Sequence, residues 1–299
     1  MSERLNIKTP VIKETRISRR TFLKGSVITL VSLALASYQI GRKPESETGN
    51  TVKFLLLTDV HAGKNGFMSR MLYSVFRYLK SSEFDHIYQL GDMIPDSESE
   101  NESISNLESG LKPFTGCPIS GTHLVGNHDI WNLPLEQLSE TYLRMGLNSK
   151  FFGVEEYGDL RIVYLDMEAK KGKNGSLPKE RIEWLRKTIY PGDTPTIIFS
   201  HEGLVSQDVS DNTYFKDNPD NSFLANGPKV WEAVKDLNIL AVISGHLHSP
   251  ANRLVDGKTQ MVSIPAFIDR GAYSILKVDG THLTLNSLCG TKCIFTVKT

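Results

Sequence analysis

The sequence predicts an α/β protein in which short buried strands alternate with amphipathic helices, followed by a hairpin-rich C-terminal part. Three observations carry this reading. Five short apolar runs, Lys53–Leu57, Ile87–Leu90, His123–Val125, Thr196–Phe199 and Ile239–Ile243, have the length and flanking residues of buried strands. Segments with apolar residues at helical spacing stand between them. Beyond the last run, Asp-Gly pairs mark hairpin turns.

Taken in order, Lys53–Leu57 leads to a helix over Phe67–Leu79 and then to the strand Ile87–Leu90. A less regular helical pattern over Ser103–Leu111 precedes His123–Val125. A helix over Leu135–Met145 comes next, and Phe151–Val154 and Leu160–Leu165 form a hairpin about the polar turn Glu156–Asp159. Helices over Lys179–Ile189 and Pro228–Leu237 flank the last two strands of the set. Pro134, Pro178 and Pro228 stand in helix first turns, where a missing N–H breaks no bond. Asp256-Gly257 and Asp279-Gly280 are the C-terminal turn signals. With no internal repeat and no second boundary, residues 51–299 read as one domain with a substantial core.

The N-terminus carries a separate signal. Ser18-Arg19-Arg20-Thr21-Phe22-Leu23-Lys24 precedes an uncharged, mostly apolar stretch from Gly25 to Ala36. That stretch is short for a membrane span and has the length of a signal-peptide core. Its paired arginines resemble the twin-arginine export signal. The resemblance implies that residues 1–36 are a signal peptide, with Ala34-Leu35-Ala36 as the cleavage region and the twin-arginine translocation machinery as partner. The mature protein is then periplasmic or extracellular, with no stable membrane span unless an uncleaved leader anchors it. Residues 37–50, polar with Pro and Gly, read as a linker. No cysteine follows the apolar run, so a lipoprotein is not expected.

The chain has 34 basic and 34 acidic residues, but residues 1–36 hold seven of the former and two of the latter. The remainder therefore carries a formal charge of −5. It lacks the basic, aromatic-studded stripe of a nucleic-acid binder, and a nucleic-acid partner is not expected.

The strand ends carry the chemistry. Asp59 and His61, Asp92, Asn127 with His128, His201, and His246 with His248 each follow one of the five apolar runs. In α/β sheets the carboxyl ends of strands border the crevice where ligands bind. Asp59, His61, Asp92, Asn127, His201, His246 and His248 would crowd a single cation and suit two divalent ions sharing one carboxylate. Mixed nitrogen and oxygen donors fit Mn, Fe, Zn, Co or Ni, and the absence of cysteine argues against structural zinc. Two ions at about 3.5–4 Å form the clamp used for in-line displacement at phosphorus.

The ordered series D-x-H, G-D, G-N-H-D, H and G-H-x-H, from Val52 to His248, resembles the calcineurin-like metallophosphoesterase superfamily. The resemblance implies a two-sheet β-sandwich core flanked by helices, the αββα arrangement. It implies that Asp59, His61, Asp92 and His248 hold one metal, and that Asp92 bridges to a second held by Asn127, His201 and His246. It places His128 beside the metals as the acid that protonates the leaving-group oxygen. Elementary chemistry asks for the same parts. Cation-bound water, with its pKa lowered to about 7, supplies the nucleophile. The cations offset charge on the phosphoryl oxygens, and histidine is the natural acid near neutral pH. The family's second motif usually has an acid three residues after its aspartate. Here Asp96 lies four residues after Asp92, behind Pro95, and is either the partner of His128 or a loop residue.

The expected function is therefore an exported binuclear phosphoesterase acting on phosphodiesters, favoured by the motif pattern, or phosphomonoesters. A metal-binding scaffold of the same fold without catalysis is one alternative. A binuclear hydrolase of a non-phosphate ester or amide is another. Glu202–Asn226, with Tyr214, Phe215 and Phe223, forms either a wall over the pocket or a solvent-exposed insertion. Asn65, Asp166 and Arg270 are candidate rim residues for substrate contact. Cys289 and Cys293 flank a possible tight turn, bridged or free, and Cys117 reads as a small core residue.

Overall fold

In the computed structural model, residues 51–79, 83–190 and 193–299 are described. The expected signal peptide and linker lie outside the described residues. Strand β1 (Val52–Leu57) has Phe54 and Leu56 on one face and Leu55 and Leu57 on the other, all fully buried. A strand apolar on both faces belongs in the middle of a sheet covered on both sides. It lies inside a six-stranded sheet of order β12-β11-β10-β1-β2-β3. The partners are β2 (His86–Leu90), β3 (Gly121–Leu124), β10 (Tyr273–Asp279), β11 (His282–Cys289) and β12 (Lys292–Lys298). A second six-stranded sheet has the order β4-β5-β6-β7-β9-β8. It comprises β4 (Gly153–Tyr157), β5 (Leu160–Tyr164), β6 (Thr196–Ser200), β7 (Ile239–Ser244), β8 (Ala251–Val255) and β9 (Thr259–Ser263).

The helices are α1 (Phe67–Tyr78), α2 (Glu100–Thr115), α3 (Asn127–Asn132), α4 (Leu135–Arg144), α5 (Lys179–Ile189), α6 (Gly227–Val234) and α7 (Phe267–Arg270). Period-2 alternation sorts the side chains into three apolar layers. Phe54, Leu56 and Leu90 meet Ile197, Phe199 and Ile243 between the sheets. Leu55 and Leu57 pack under Leu72 of α1, Leu107 of α2 and Leu138 of α4. On the far side, Ile198 and Val242 pack under Leu185 of α5 and Trp231 of α6. The result is the expected αββα arrangement. Glu155 of β4 clasps the two sheets: it accepts from Tyr88 Oη (2.6 Å) and Thr122 Oγ1 (2.8 Å) of the other sheet.

Most expected elements are present with small shifts. Helix α2 runs well past Ser103–Leu111 at both ends. Ser99 Oγ accepts from Glu102 N (3.3 Å), and Glu100 and Glu102 complement the positive end of the helix. Pro134 and Pro178 cap α4 and α5 rather than opening their first turns. Asp256 and Gly257 both adopt the left-handed backbone of a tight hairpin turn, with φ of 52° and 67°. All three cysteines are free thiols. Among the described residues, no helix is long and apolar enough to cross a membrane.

His123 on β3 gives the fold a definite pH response. Its ring lies edge-on to Phe114 and Tyr142, with centroids 4.6 and 5.0 Å away, and neither nitrogen has a hydrogen-bond partner. Burial, helped by His86, pushes its pKa down to about 3. The unfolded chain takes up this proton near pH 6.5. Between those values the unfolded state holds one proton more, so its contribution is fully present above pH 6.5. It is lost as pH falls towards 3, by about 1.4 kcal/mol per unit. His123→Phe is expected to flatten the fall in chemical stability between pH 6 and 4. A slope equal to that of the parent protein would contradict this account.

Candidate metal centre

The five candidate segments do not line one sheet. Asp59, Asp92 and Asn127 follow β1, β2 and β3 of one sheet, whereas His201 and His246 follow β6 and β7 of the other. Within each sheet these strands are parallel, and pairings such as Leu57 with Gln89 and Ser200 with Ser244 bring their ends level. The crevice therefore lies between the ends of two sheets. Backbone bonds lash the turns together: Asp59 N to Gly91 O (3.0 Å), His61 N to Asp92 O (3.1 Å) and Gly245 N to His201 O (2.9 Å).

Backbone conformation marks the site independently. Asp59, His61, Asp92, His246 and His248 all have positive φ, from 46° to 67°. Among the described non-glycine residues, only Asp256, in its hairpin turn, shares this feature. Left-handed backbone costs a non-glycine residue energy and collects where function requires it. Two motif glycines allow close approach instead. A Cβ on Gly126 would overlap Asp92, and one on Gly245 would overlap Thr58 Oγ1.

The donor atoms converge in two groups. Asp59, His61 and His248 form one, and Asp59, Asp92 and His201 the other, with the donor atoms of each group within 4.8 Å of one another. His248 Nε2 lies 3.2 Å from Asp59 Oδ1 and 3.3 Å from His61 Nε2. His201 Nε2 lies 3.3 Å from Asp92 Oδ2 and 3.1 Å from Asn127 Oδ1. Asp92 Oδ2 is also 3.8 Å from His61 Nε2, so it faces both histidine sets. Asp59 is common to both groups, whereas the family resemblance assigns the sharing to Asp92. His246 joins neither group: its ring lies 5.3 Å from that of His201, and its Nε2 pairs with Asn221 O at 2.9 Å.

Electrostatics makes this a site that demands positive charge. Burial alone would raise the Asp59 carboxyl; the neighbouring imidazole of His248, with those of His201 and His61, holds it well below the usual carboxylate range. Asp92 is likewise held at about 2, against its burial, chiefly by His201. His201 rises to about 10, because Asp92 and Asp59 outweigh the cost of burying its charge. The residues fit divalent cations on their own geometry. Asp59 Oδ1 is buried without a hydrogen-bond donor, and two histidine Nε2 atoms converge beside it. His201 Nδ1 donates to Leu90 O (2.8 Å), which commits Nε2 to the cluster, as outer-shell partners of metal-binding histidines do.

His128 belongs to neither donor group. Its backbone N–H donates to Asp92 Oδ1 (2.9 Å), and its Nδ1 lies 3.0 Å from Asp96 Oδ1. Asn132 Nδ2 also donates to Asp96 Oδ1 (3.2 Å). The extra residue in the second motif therefore still delivers an acid to His128.

The calcineurin-like phosphoesterase family profile matches residues 52–250, two thirds of the chain. The chain belongs to that family. Membership makes it a phosphoesterase that works with divalent metal ions. Solved structures of the same fold include a dimetal phosphatase from Danio rerio, 14% identical with a TM-score of 0.67 over 83% of this chain and 98% of that one. A purple acid phosphatase from yellow lupin (Lupinus luteus) seeds is 12% identical, with a TM-score of 0.58 over 85% of this chain and 55% of that one. GAP50, the anchor in the inner membrane complex of Plasmodium, is 10% identical, with a TM-score of 0.54 over 83% and 88%. Comparison with curated protein sequences finds no match.

The phosphoesterase places the rim candidates less centrally. Asn65 Oδ1 accepts from Phe67 N (2.9 Å) at the start of α1. Arg270 is exposed at the end of α7, a helix whose Ile268 N–H donates to Asp59 O. Asp166 pairs through both oxygens with Arg181 (2.6 and 2.9 Å), at a cavity of about 670 Å³ also lined by Phe152 and Trp184. Three supporting residues show their contacts only in the structure. Thr58 Oγ1 donates to Asp59 Oδ2 (2.7 Å). Buried Asp129 accepts from Gly126 N (2.9 Å) and Ile94 N (3.1 Å). Buried Glu202 takes the Gly175 N–H at 2.9 Å.

Proposed function

We propose that this phosphoesterase hydrolyses phosphodiesters, and phosphomonoesters less readily, at a two-metal centre, with His128 as general acid, after twin-arginine export from the cytoplasm. The observation that carries the reading is the donor set itself: two buried carboxylates facing imidazoles from both sheets, with Asp59 Oδ1 lacking any donor. Asp59, His61, Asp92 and His248 would hold one cation, and Asp92, Asn127, His201 and His246 the other. Bound there, divalent ions supply charge neutralisation for phosphoryl oxygens and an activated water at neutral pH. The protein does the rest. Asp92 Oδ1 fixes the His128 backbone, and Asp96 accepts from its Nδ1, so Nε2 is the nitrogen left to deliver a proton to the departing oxygen. Nitrogen and oxygen donors without sulfur favour Mn, Fe, Zn, Co or Ni.

The purified protein is expected to cleave both aryl phosphate and bis-aryl phosphate, the diester faster. Chelation is expected to abolish both activities and metal to restore them. Hydrolysis of neither ester by metal-loaded protein would overturn the reading in favour of a scaffold or a non-phosphate hydrolase. Recovery outside the cytoplasm with Ser37 at the N-terminus is the expected mark of export; the intact chain in the cytoplasm would contradict it.

A further inference from the structure

We infer that Tyr214 and Phe215 form an aromatic wall beside the metal centre that recognises the flat ring of an aryl or nucleoside phosphate ester. The inference rests on the proposed phosphoesterase reading and names the substrate class for that site. The segment from 202 to 226 leaves β6 directly after His201 and is closed at its base, where Leu224 N donates to Gly203 O (2.9 Å). One buried side chain sets its shape. Asn212 Nδ2 donates to Leu247 O (2.7 Å), between His246 and His248, while Asn212 Oδ1 accepts from Tyr214 N (2.9 Å) and Phe215 N (3.2 Å). The turn that displays the two rings is thus pinned to the G-H-x-H segment.

Both rings lie against candidate ligands. Phe215 stands 4.8 Å from the His246 ring, and Tyr214 stands 5.1 Å from the His248 ring. The same segment holds His246 through Asn221 O. Tyr214 nevertheless keeps 63% of its surface in water. A large exposed ring beside the candidate ligands, on a turn whose backbone Asn212 fixes, offers stacking to a planar group one or two bonds from phosphorus. Asn212 already ties the backbone of the turn, so binding need order only the side chains.

The test measures binding and turnover together, using the full metal-loaded protein. Phenylphosphonate is expected to bind about tenfold more tightly than methylphosphonate, the fold-change of one stacking contact. Tyr214→Ala is expected to erase that difference at unchanged metal content, and Tyr214→Phe to keep it. In turnover, Tyr214→Ala is expected to raise KM about tenfold for ring-bearing diesters and to raise the KM of a dialkyl ester far less. An effect larger on a nucleoside ester than on a phenyl ester identifies a nucleobase; the reverse identifies a small aryl group. Equal effects on phenyl and methyl phosphonates, or none, would overturn the wall. Failure to hydrolyse any ester would overturn the phosphoesterase reading alone, because the phosphonate arm needs no turnover.

Discussion

His128→Asn is expected to slow hydrolysis of a dialkyl phosphodiester by about 10²–10⁴-fold while leaving fold and metal content intact. An alkoxide must be protonated as it leaves, whereas nitrophenolate departs without help, so the loss for a nitrophenyl ester is expected to be much smaller. The geometry explains why the fold survives. The backbone of His128 is fixed by Asp92 Oδ1, a bond that any residue can make, and asparagine retains it. What is lost is a ring nitrogen held by Asp96 at 3.0 Å and a ring packed at 4.8 Å against Trp131. Asp96 is a positioning residue, and Asp96→Asn is expected to alter the pH profile of kcat more than KM. Equal losses for alkyl and nitrophenyl esters in His128→Asn would remove the acid role.

Asp92→Asn is expected to have the larger effect, because one side chain serves several partners. Its Oδ1 holds the backbone of His128, and its Oδ2 faces His201 at 3.3 Å and His61 at 3.8 Å. Asparagine preserves the volume but removes the charge. His201 Nε2 then faces a neutral amide instead of a carboxylate. Loss of about 10³-fold or more in kcat/KM is expected, the scale of deleting a preorganised electrostatic group. Thermal stabilisation by added metal, about 2.7 kcal/mol at a hundredfold excess over Kd, is expected to shrink or vanish. A variant that keeps full metal content and a normal rate would show that Asp92 holds no metal.

The sequence made the strand ends legible because each is an apolar run closed by chemically distinctive residues, and helix and strand periods are local properties. Sheet membership is not local. Nothing in TDVH or SGHLH tells that Asp59 and His248 come from different sheets yet lie 3.2 Å apart. The left-handed backbones of Asp59, His61, Asp92, His246 and His248 are equally hidden, since they arise from cross-ties such as His61 N to Asp92 O. Asp96 shows the limit of counting residues. Its offset from the family spacing is taken up by the turn after Ile94, whose N–H is held by Asp129 from another segment. Asn212 was invisible for a different reason: one buried asparagine inside a polar stretch looks like any solvated residue.

Metal stoichiometry tests the account most directly. Elemental analysis of the purified full chain, with anomalous diffraction to place the ions, is expected to find two transition-metal ions per chain. They are expected about 3.5–4 Å apart among Asp59, His61, Asp92, Asn127, His201, His246 and His248. A single ion, or protein that remains metal-free in excess metal while still cleaving phosphate esters, would contradict the two-metal centre.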